Sequence, residues 1–216
     1  MKVFAISDLH LSGGVKDKPM DIFGESWQGY MAAIERDWKN KVSDGDVVLL
    51  AGDLSWGINL QEAMPDIERV CALPGRKVLV RGNHDYWWSA LSKVRAALAP
   101  TAFAVQNDCL RLDNLLVCGS RLWQFGQSAE DEKLLSRELI RLELSLKAMS
   151  AMRKEGDFVV VMCHYPPFNV RYEDSGFTKL ISAAGADAVV YGHLHGKGIR
   201  ADRVVTKDGI PYYLTS

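Results

Sequence analysis

All five histidines of this 216-residue chain fall at or just beyond the end of a short apolar run. The runs are Lys2–Ser7, Val47–Ala51, Lys77–Val80, Val159–Cys163 and Ala188–Tyr191, and each reads as a buried strand. Asp8 and His10 follow the first, and Gly52-Asp53 follows the second. Gly82-Asn83-His84-Asp85 follows the third, His164 the fourth, and Gly192-His193-Leu194-His195 the fifth. A histidine taken alone is more often a packed or surface residue than a ligand. Five in the same setting require a fold that brings the ends of distant strands to one edge, where open α/β sheets bind their ligands.

The stretches between the runs supply the other layers. Trp27, Met31, Ile34 and Trp38 recur at steps of four, three and four, which marks one helical face. Leu60–Leu73 reads as a helix in which Pro65 is expected to introduce a kink or mark the true first turn. Trp88–Leu98 reads as another helix, ended by Pro100, and a short one is expected near Thr178–Ala184. The longest, about Glu130 to Lys154, carries Leu135, Leu139, Leu142, Leu146 and Met149 in a seam like that of a coiled coil. A single helix of this kind in a globular domain more often packs on a sheet than on a partner helix. Asp113-Asn114 between Cys109–Leu112 and Leu115–Gly119, and Asp208-Gly209 between Arg203–Val205 and Tyr212–Leu214, are hairpin signals. Alternating strands and helices followed by hairpins imply an α/β layered fold around a mixed sheet. No repeat or low-complexity linker divides the chain, so one domain over residues 1–216 is expected. The chain stops at Ser216 inside its last expected strand, which leaves both a domain that ends there and a C-terminally truncated one open.

Composition narrows the function. A formal net charge of −1, with no run of Lys and Arg longer than a pair, gives no field for a polyanion and argues against nucleic acid as a partner. Cys71, Cys109, Cys118 and Cys163 are scattered without a C-x-x-C pair, which fits reduced, packed thiols better than zinc ligands or disulfides. Cys163 precedes His164, but neighbouring strand residues point to opposite faces, so Cys163 is expected in the core. No apolar run approaches the roughly 18 residues of a membrane helix, and the N-terminus lacks the pattern of a signal peptide. A cytoplasmic protein is expected; oligomeric state is not legible.

The residue types then specify chemistry. Imidazole nitrogens with carboxylate and amide oxygens suit Mn, Fe or Zn. Seven candidates, Asp8, His10, Asp53, Asn83, His164, His193 and His195, exceed what one tetrahedral ion takes, and two ions sharing a carboxylate would use them. Two divalent cations offset by Asp8, Asp53 and a hydroxide leave about one positive charge, which suits an anionic ester such as a phosphate. The expected reaction is hydrolysis of a phosphate mono- or diester of a small substrate by a hydroxide held between two metal ions.

Asp8-x-His10, Gly52-Asp53, Gly82-Asn83-His84-Asp85, His164 and Gly192-His193-x-His195, in this order, resemble the calcineurin-like metallophosphoesterase superfamily, and the wider pattern resembles its small bacterial phosphohydrolases. The resemblance implies a four-layer αββα sandwich of two mixed sheets flanked by helices. It implies that Asp8, His10 and His195 hold one ion, that Asn83, His164 and His193 hold the other, and that Asp53 bridges them. His84 would then protonate the leaving alkoxide or stabilise phosphoryl oxygens, with Asp85 holding its ring. A non-catalytic adaptor on the same fold and a nuclease with the same centre are the competing readings. The complete ligand set with His84 opposes the first, and the near-neutral charge opposes the second.

Around these motifs Trp56, Tyr86, Trp87, Trp88, Trp123 and Tyr165 are candidates for a wall against the substrate, each with packing beneath the loops as the alternative. Trp123 is the preferred wall residue, followed by the flexible-looking Gly126–Ser128. Arg121 is a candidate phosphate clamp or a member of a salt bridge. Ser12–Glu25, with Gly13, Gly14 and Gly24, is a candidate lid or a long loop.

Overall fold

A computed structural model describes residues 1–216 apart from 16, 17, 19, 25, 26, 127, 197 and 198. Parts of the expected lid Ser12–Glu25 and of Gly126–Ser128 therefore lie outside the described residues. In the first half, strands and helices alternate: β1 (Val3–Ile6), α1 (Tyr30–Lys41), β2 (Val47–Leu50), α2 (Leu60–Cys71), β3 (Arg76–Leu79), α3 (Leu91–Ala97) and β4 (Ala102–Ala104). The second half contains β5 (Cys109–Leu112), β6 (Leu115–Ser120), α4 (Ala129–Met152), β7 (Phe158–Cys163), α5 (Gly176–Ala183), β8 (Ala188–Tyr191), β9 (Val204–Lys207) and β10 (Ile210–Leu214).

Two sheets result. One has the order β1-β2-β3-β4 and the other β5-β6-β7-β8-β10-β9. The expectation of two mixed sheets holds only for the second, in which β5 and β9 run antiparallel to their neighbours and the rest are parallel. Every pairing in the first sheet is parallel, because a helical segment follows each of its first three strands and carries the chain back before the next. β4 was not foreseen; three residues following Pro100 carry too little pattern to be read as a strand.

Side-chain alternation makes the layers. In β2, Val47 and Leu49 join Val78 of β3, Val117 of β6, Val160 and Met162 of β7 and Val190 of β8 in a core between the sheets. Val48 and Leu50 face the other way, onto Trp38 of α1, Ile67 and Val70 of α2 and Val94 of α3. In the second sheet Leu116, Cys118, Val159, Val161 and Cys163 pack on Leu142, Leu146 and Met149 of α4 and on Phe177 and Ile181 of α5. The order is helix, sheet, sheet, helix, and strands buried on both faces explain the continuous apolar runs. Cys163 is in the outer core, as the alternation required. The α4 seam packs on a sheet, and Leu135 and Leu139 flank the same core. No helix among the described residues is long and apolar enough to cross a membrane.

Local signals decide the element ends. Gly29, left-handed at φ 64°, delays α1 to Tyr30, so Trp27 precedes the helix instead of riding on its face. Asn59 caps α2 through the Glu62 N–H, so Pro65 lies inside the helix and does not mark its first turn. At the other end of α2, Lys77 buries its ammonium against the carbonyl oxygens of Cys71, Leu73 and Gly75, which complements the negative helix end. Trp88, expected to open α3, is buried in the preceding turn, where its indole N–H reaches Gln106. Ser175 and Thr178 form a capping box that starts α5 at Gly176. Both hairpins have two-residue turns, with Leu112 opposite Leu115 and Lys207 opposite Ile210.

Leu142 is fully buried in the outer core whereas Leu144, on the same helix, is 47% exposed. Leu142→Ala is expected to lower unfolding free energy by about 2–5 kcal/mol, and Leu144→Ala by no more than about 0.5 kcal/mol. Urea denaturation of both variants checks this; equal midpoints would contradict the assigned packing of α4.

Candidate metal centre

Parallel strands end at the same edge, and here both sheets present their carboxyl ends together. Ser7 N–H at the end of β1 donates to Thr215 O beyond β10 at 3.2 Å, and His164 Nδ1 beyond β7 lies 2.9 Å from Ala51 O beyond β2. These contacts join the sheets at the point where the polar motifs emerge. Asp8, His10, Asp53 and His193 all take left-handed backbone, at φ 57°, 46°, 55° and 71°. Such a conformation costs a non-glycine residue about 1 kcal/mol or more. Hydrogen bonds hold it in place, from Asp8 N–H to Gly52 O at 3.0 Å, His10 N–H to Asp53 O at 3.0 Å and Leu11 N–H to Leu54 O at 2.9 Å.

The two carboxylates are anchored alike. Asp8 Oδ2 accepts from His193 N–H at 2.9 Å, and Asp53 Oδ1 accepts from His84 N–H at 2.8 Å. Asp8 Oδ1 and Asp53 Oδ2, both buried, have no hydrogen-bond partner among the described residues. Imidazole nitrogens surround them. Asp8 Oδ1 lies 3.8 Å from His10 Nε2 and 3.5 Å from His195 Nε2, and those two nitrogens are 3.0 Å apart. Asp53 Oδ2 lies 3.8 Å from His10 Nε2 and 3.4 Å from His164 Nε2. Asn83 Oδ1 lies 2.6 Å from His164 Nε2 and 3.0 Å from His193 Nδ1. All seven sequence candidates are thus brought together. Two donor groups suited to a cation stand out, Asp8/His10/His195 and Asp8/Asp53/His164, the atoms of each within 4.8 Å of one another.

Protonation favours ligation. Burial pushes His10 down to about 3 and His193 down to about 4, so both rings are neutral and carry free lone pairs. Burial would lower His164 as well, but Asp53 beside it outweighs this and raises it. Asp53 itself falls to about 2: burial opposes ionisation, while His164 and His10 favour it. Buried carboxylate oxygens without donors among the described residues, facing converging imidazole nitrogens, form the chemical complement of divalent cations, so the residues present fit a metal.

His84 is placed differently. Its ring lies 4.7 Å from Trp56 and 5.6 Å from His10, and its Nδ1 has no hydrogen-bond partner among the described residues. The expectation that Asp85 holds this ring is not met. The fully buried Asp85 carboxylate accepts instead from the backbone N–H groups of Asp53, Leu54, Ser55 and Gly82 and from the Trp87 indole. It ties the β2 loop to the β3 loop. Burial and the nearby Asp53 push its pKa up to about 6. Sequence adjacency to His84 suggested the ring-holding role; the direction of the side chain, which sequence does not carry, decided otherwise.

A cleft of about 1,110 Å³ opens from His10, His84 and His195 and is walled by Trp27 and Trp56. Trp56 stacks on His10 at 4.8 Å and is steadied by a 3.1 Å hydrogen bond to Met20 Sδ. Trp27 meets His10 and His195 edge-on at 6.4 and 6.2 Å. Sequence reasoning assigned Trp27 to a helix face and missed it; Gly24 and Gly29 on either side were the available signal. Of the other expected wall residues, Trp87 and Trp88 are buried core, and Tyr165 is buried 4.2 Å from the His193 ring. Tyr86 is exposed beside His84 at 6.2 Å. Trp123, the preferred wall, does not line the cleft: it packs against the outer core and donates to Asp131. Arg121 does not line it either, and lies 3.6 Å from buried Glu138.

The glycines of the motifs are steric necessities. A Cβ on Gly82 would come within 2.0 Å of Asp53 Oδ1, and one on Gly52 within 2.5 Å of His164 Nδ1.

The calcineurin-like phosphoesterase family profile matches residues 1–197. None of the curated proteins compared matches the chain. Among solved structures, the phosphopantetheinyl hydrolase of Mycobacterium tuberculosis is similar at 15% identity, over 99% of this chain and 88% of that one, with a TM-score of 0.58. A protein of unknown function from Aquifex aeolicus is similar at 16% identity, over 91% of this chain and 80% of that one, with a TM-score of 0.47. The former, at this identity, attests to the fold alone.

Gly82→Ala is expected to weaken Mn²⁺ binding by tenfold or more, because the added carbon displaces the Asp53 carboxylate. Calorimetric titration with the circular dichroism spectrum as a folding control checks this; wild-type affinity would remove Asp53 from the centre.

Proposed function

The chain belongs to the calcineurin-like phosphoesterase family, and on that footing we propose that it hydrolyses a phosphate mono- or diester of a small substrate at a centre of two divalent ions. The observation that carries the reading is the pair of buried oxygens, Asp8 Oδ1 and Asp53 Oδ2, without a hydrogen-bond donor among the described residues and ringed by imidazoles. Asp8, His10 and His195 would hold one ion; Asn83, His164 and His193 would hold the other, with Asp53 between them. The nitrogen and oxygen donors suit Mn, Fe or Zn. When bound, such ions supply positive charge to a phosphoryl group and acidify water to near neutral pH.

The chain's own groups do the rest. His10 and His193 stay neutral and so remain available as ligands. The contact of His164 Nδ1 with Ala51 O directs Nε2 toward Asp53 and Asn83. His84, which lines the cleft outside the proposed ligand set, would donate a proton to the leaving-group oxygen or a hydrogen bond to a phosphoryl oxygen. The leaving group would enter the cleft along Trp27 and Trp56, whose faces suit an apolar or aromatic body. The free thiols of Cys71, Cys109, Cys118 and Cys163 suit the cytoplasm, and residues 1–216 are taken to act as one domain.

Manganese-dependent turnover of p-nitrophenyl phosphate or its bis ester is the direct test. An inactive wild-type chain with full metal content would favour a non-catalytic binding module. Asp53→Asn is expected to lose both metal, read by elemental analysis, and activity, since a neutral amide joins two cations poorly. His84→Ala is expected to keep its metal and lose kcat by on the order of 10²–10⁴; near-normal turnover would remove its proposed role.

A further inference from the structure

A second cavity, of about 240 Å³, shares no lining residue with the metal cleft. It lies where the ends of β3 and β6 meet α4, and its charged walls are Arg81, Arg121, Glu138 and Arg141. Arg81 precedes Gly82-Asn83, and Arg121 follows the last residue of β6. Glu138 and Arg141 stand one turn apart on α4.

The charges in this cavity do not balance. Glu138 is fully buried; it accepts from Ser120 Oγ at 2.6 Å and from Arg141 Nη1 at 2.7 Å, and lies 3.6 Å from Arg121 Nη2. Three guanidinium groups therefore face one carboxylate. Asp85, the other acid that acts on Arg81, is committed to five N–H donors. Arginine keeps its charge in proteins, so the excess cannot be relieved by loss of a proton. Arg81 Nε and Arg121 Nε are also buried without a hydrogen-bond partner among the described residues. Trp123 covers one face of the Arg121 guanidinium at 4.8 Å, and Arg121 lines the cavity. A pre-formed, positively charged pocket with spare N–H donors is complementary to a tetrahedral oxyanion.

We propose that this cavity is an anion site, distinct from the metal centre, that binds a phosphate group through Arg81, Arg121 and Arg141. The carbonyl of Arg121 accepts from Tyr165 N–H at 2.9 Å and His164 N–H at 3.3 Å, and Arg81 is two residues from Asn83. An anion held there would brace two loops that reach the metal centre. The source is either free phosphate or the phosphorylated end of a larger ligand.

The test is equilibrium binding of inorganic phosphate and of phenyl phosphate to the full chain, as purified and after chelation. Binding of phosphate is expected to survive chelation and to fall with ionic strength. Arg141→Gln should weaken it by about tenfold or more, whereas Glu138→Gln, which keeps the shape and deletes the opposing charge, should tighten it several-fold. Effects of opposite sign in two variants of one ion pair separate anion binding from a general loss of packing. Comparable binding of phenyl phosphate assigns the site to a phosphorylated ligand, and preference for inorganic phosphate assigns it to the free ion. Binding that vanishes on chelation, or that ignores both substitutions, overturns the proposal. Neither result bears on the metal-dependent ester hydrolysis, which is read by turnover.

Discussion

Two buried carboxylates, each with one oxygen anchored to a backbone N–H and the other left without a donor among the described residues, set the terms for the carboxyl edge of this protein. An unpaired buried anion is among the most costly arrangements a fold can contain. Here it is accompanied by left-handed backbone at Asp8, His10, Asp53 and His193, a second cost concentrated in the same place. Costs that coincide with converging imidazoles are the expected mark of a site built for a cation.

The sandwich makes that arrangement possible. In the first sheet, parallel pairing sends β1, β2 and β3 out at one edge; in the second, β7 and β8 do the same. A core of aliphatic side chains between the sheets fixes their separation, and the contact between His164 and Ala51 O bridges them at the rim. Asp85 then acts as an internal staple between the β2 and β3 loops. Its five donors make it a positioning group for Asp53 and His84, reached through the backbone.

The molecule separates charge along this edge. The metal centre gathers anionic and neutral donors, while the neighbouring cavity gathers guanidinium groups around Glu138. The two share the loop that follows β3, in which Arg81 stands two residues from Asn83, and they meet again where the carbonyl of Arg121, after β6, accepts from His164 N–H, after β7.

Much of this was legible in the chain itself. The apolar runs of β2, β7 and β8, the two hairpin turns and the α4 seam follow from periodicity and turn chemistry, which are local properties. The clustering of Asp8, His10, Asp53, Asn83, His164, His193 and His195 was legible too, since histidines beyond four of the five runs and Asp53 beyond the other form a pattern that packing alone does not require. What the tertiary structure decided was direction and partnership. Trp27 against His10, Trp123 away from the cleft, Asp85 on backbone N–H groups instead of the His84 ring, and the gathering of Arg81, Arg121 and Arg141 all depend on where side chains point and on which loops meet. Those are contacts between residues far apart in the chain, set by how two sheets and their helices pack, and no local spacing encodes them.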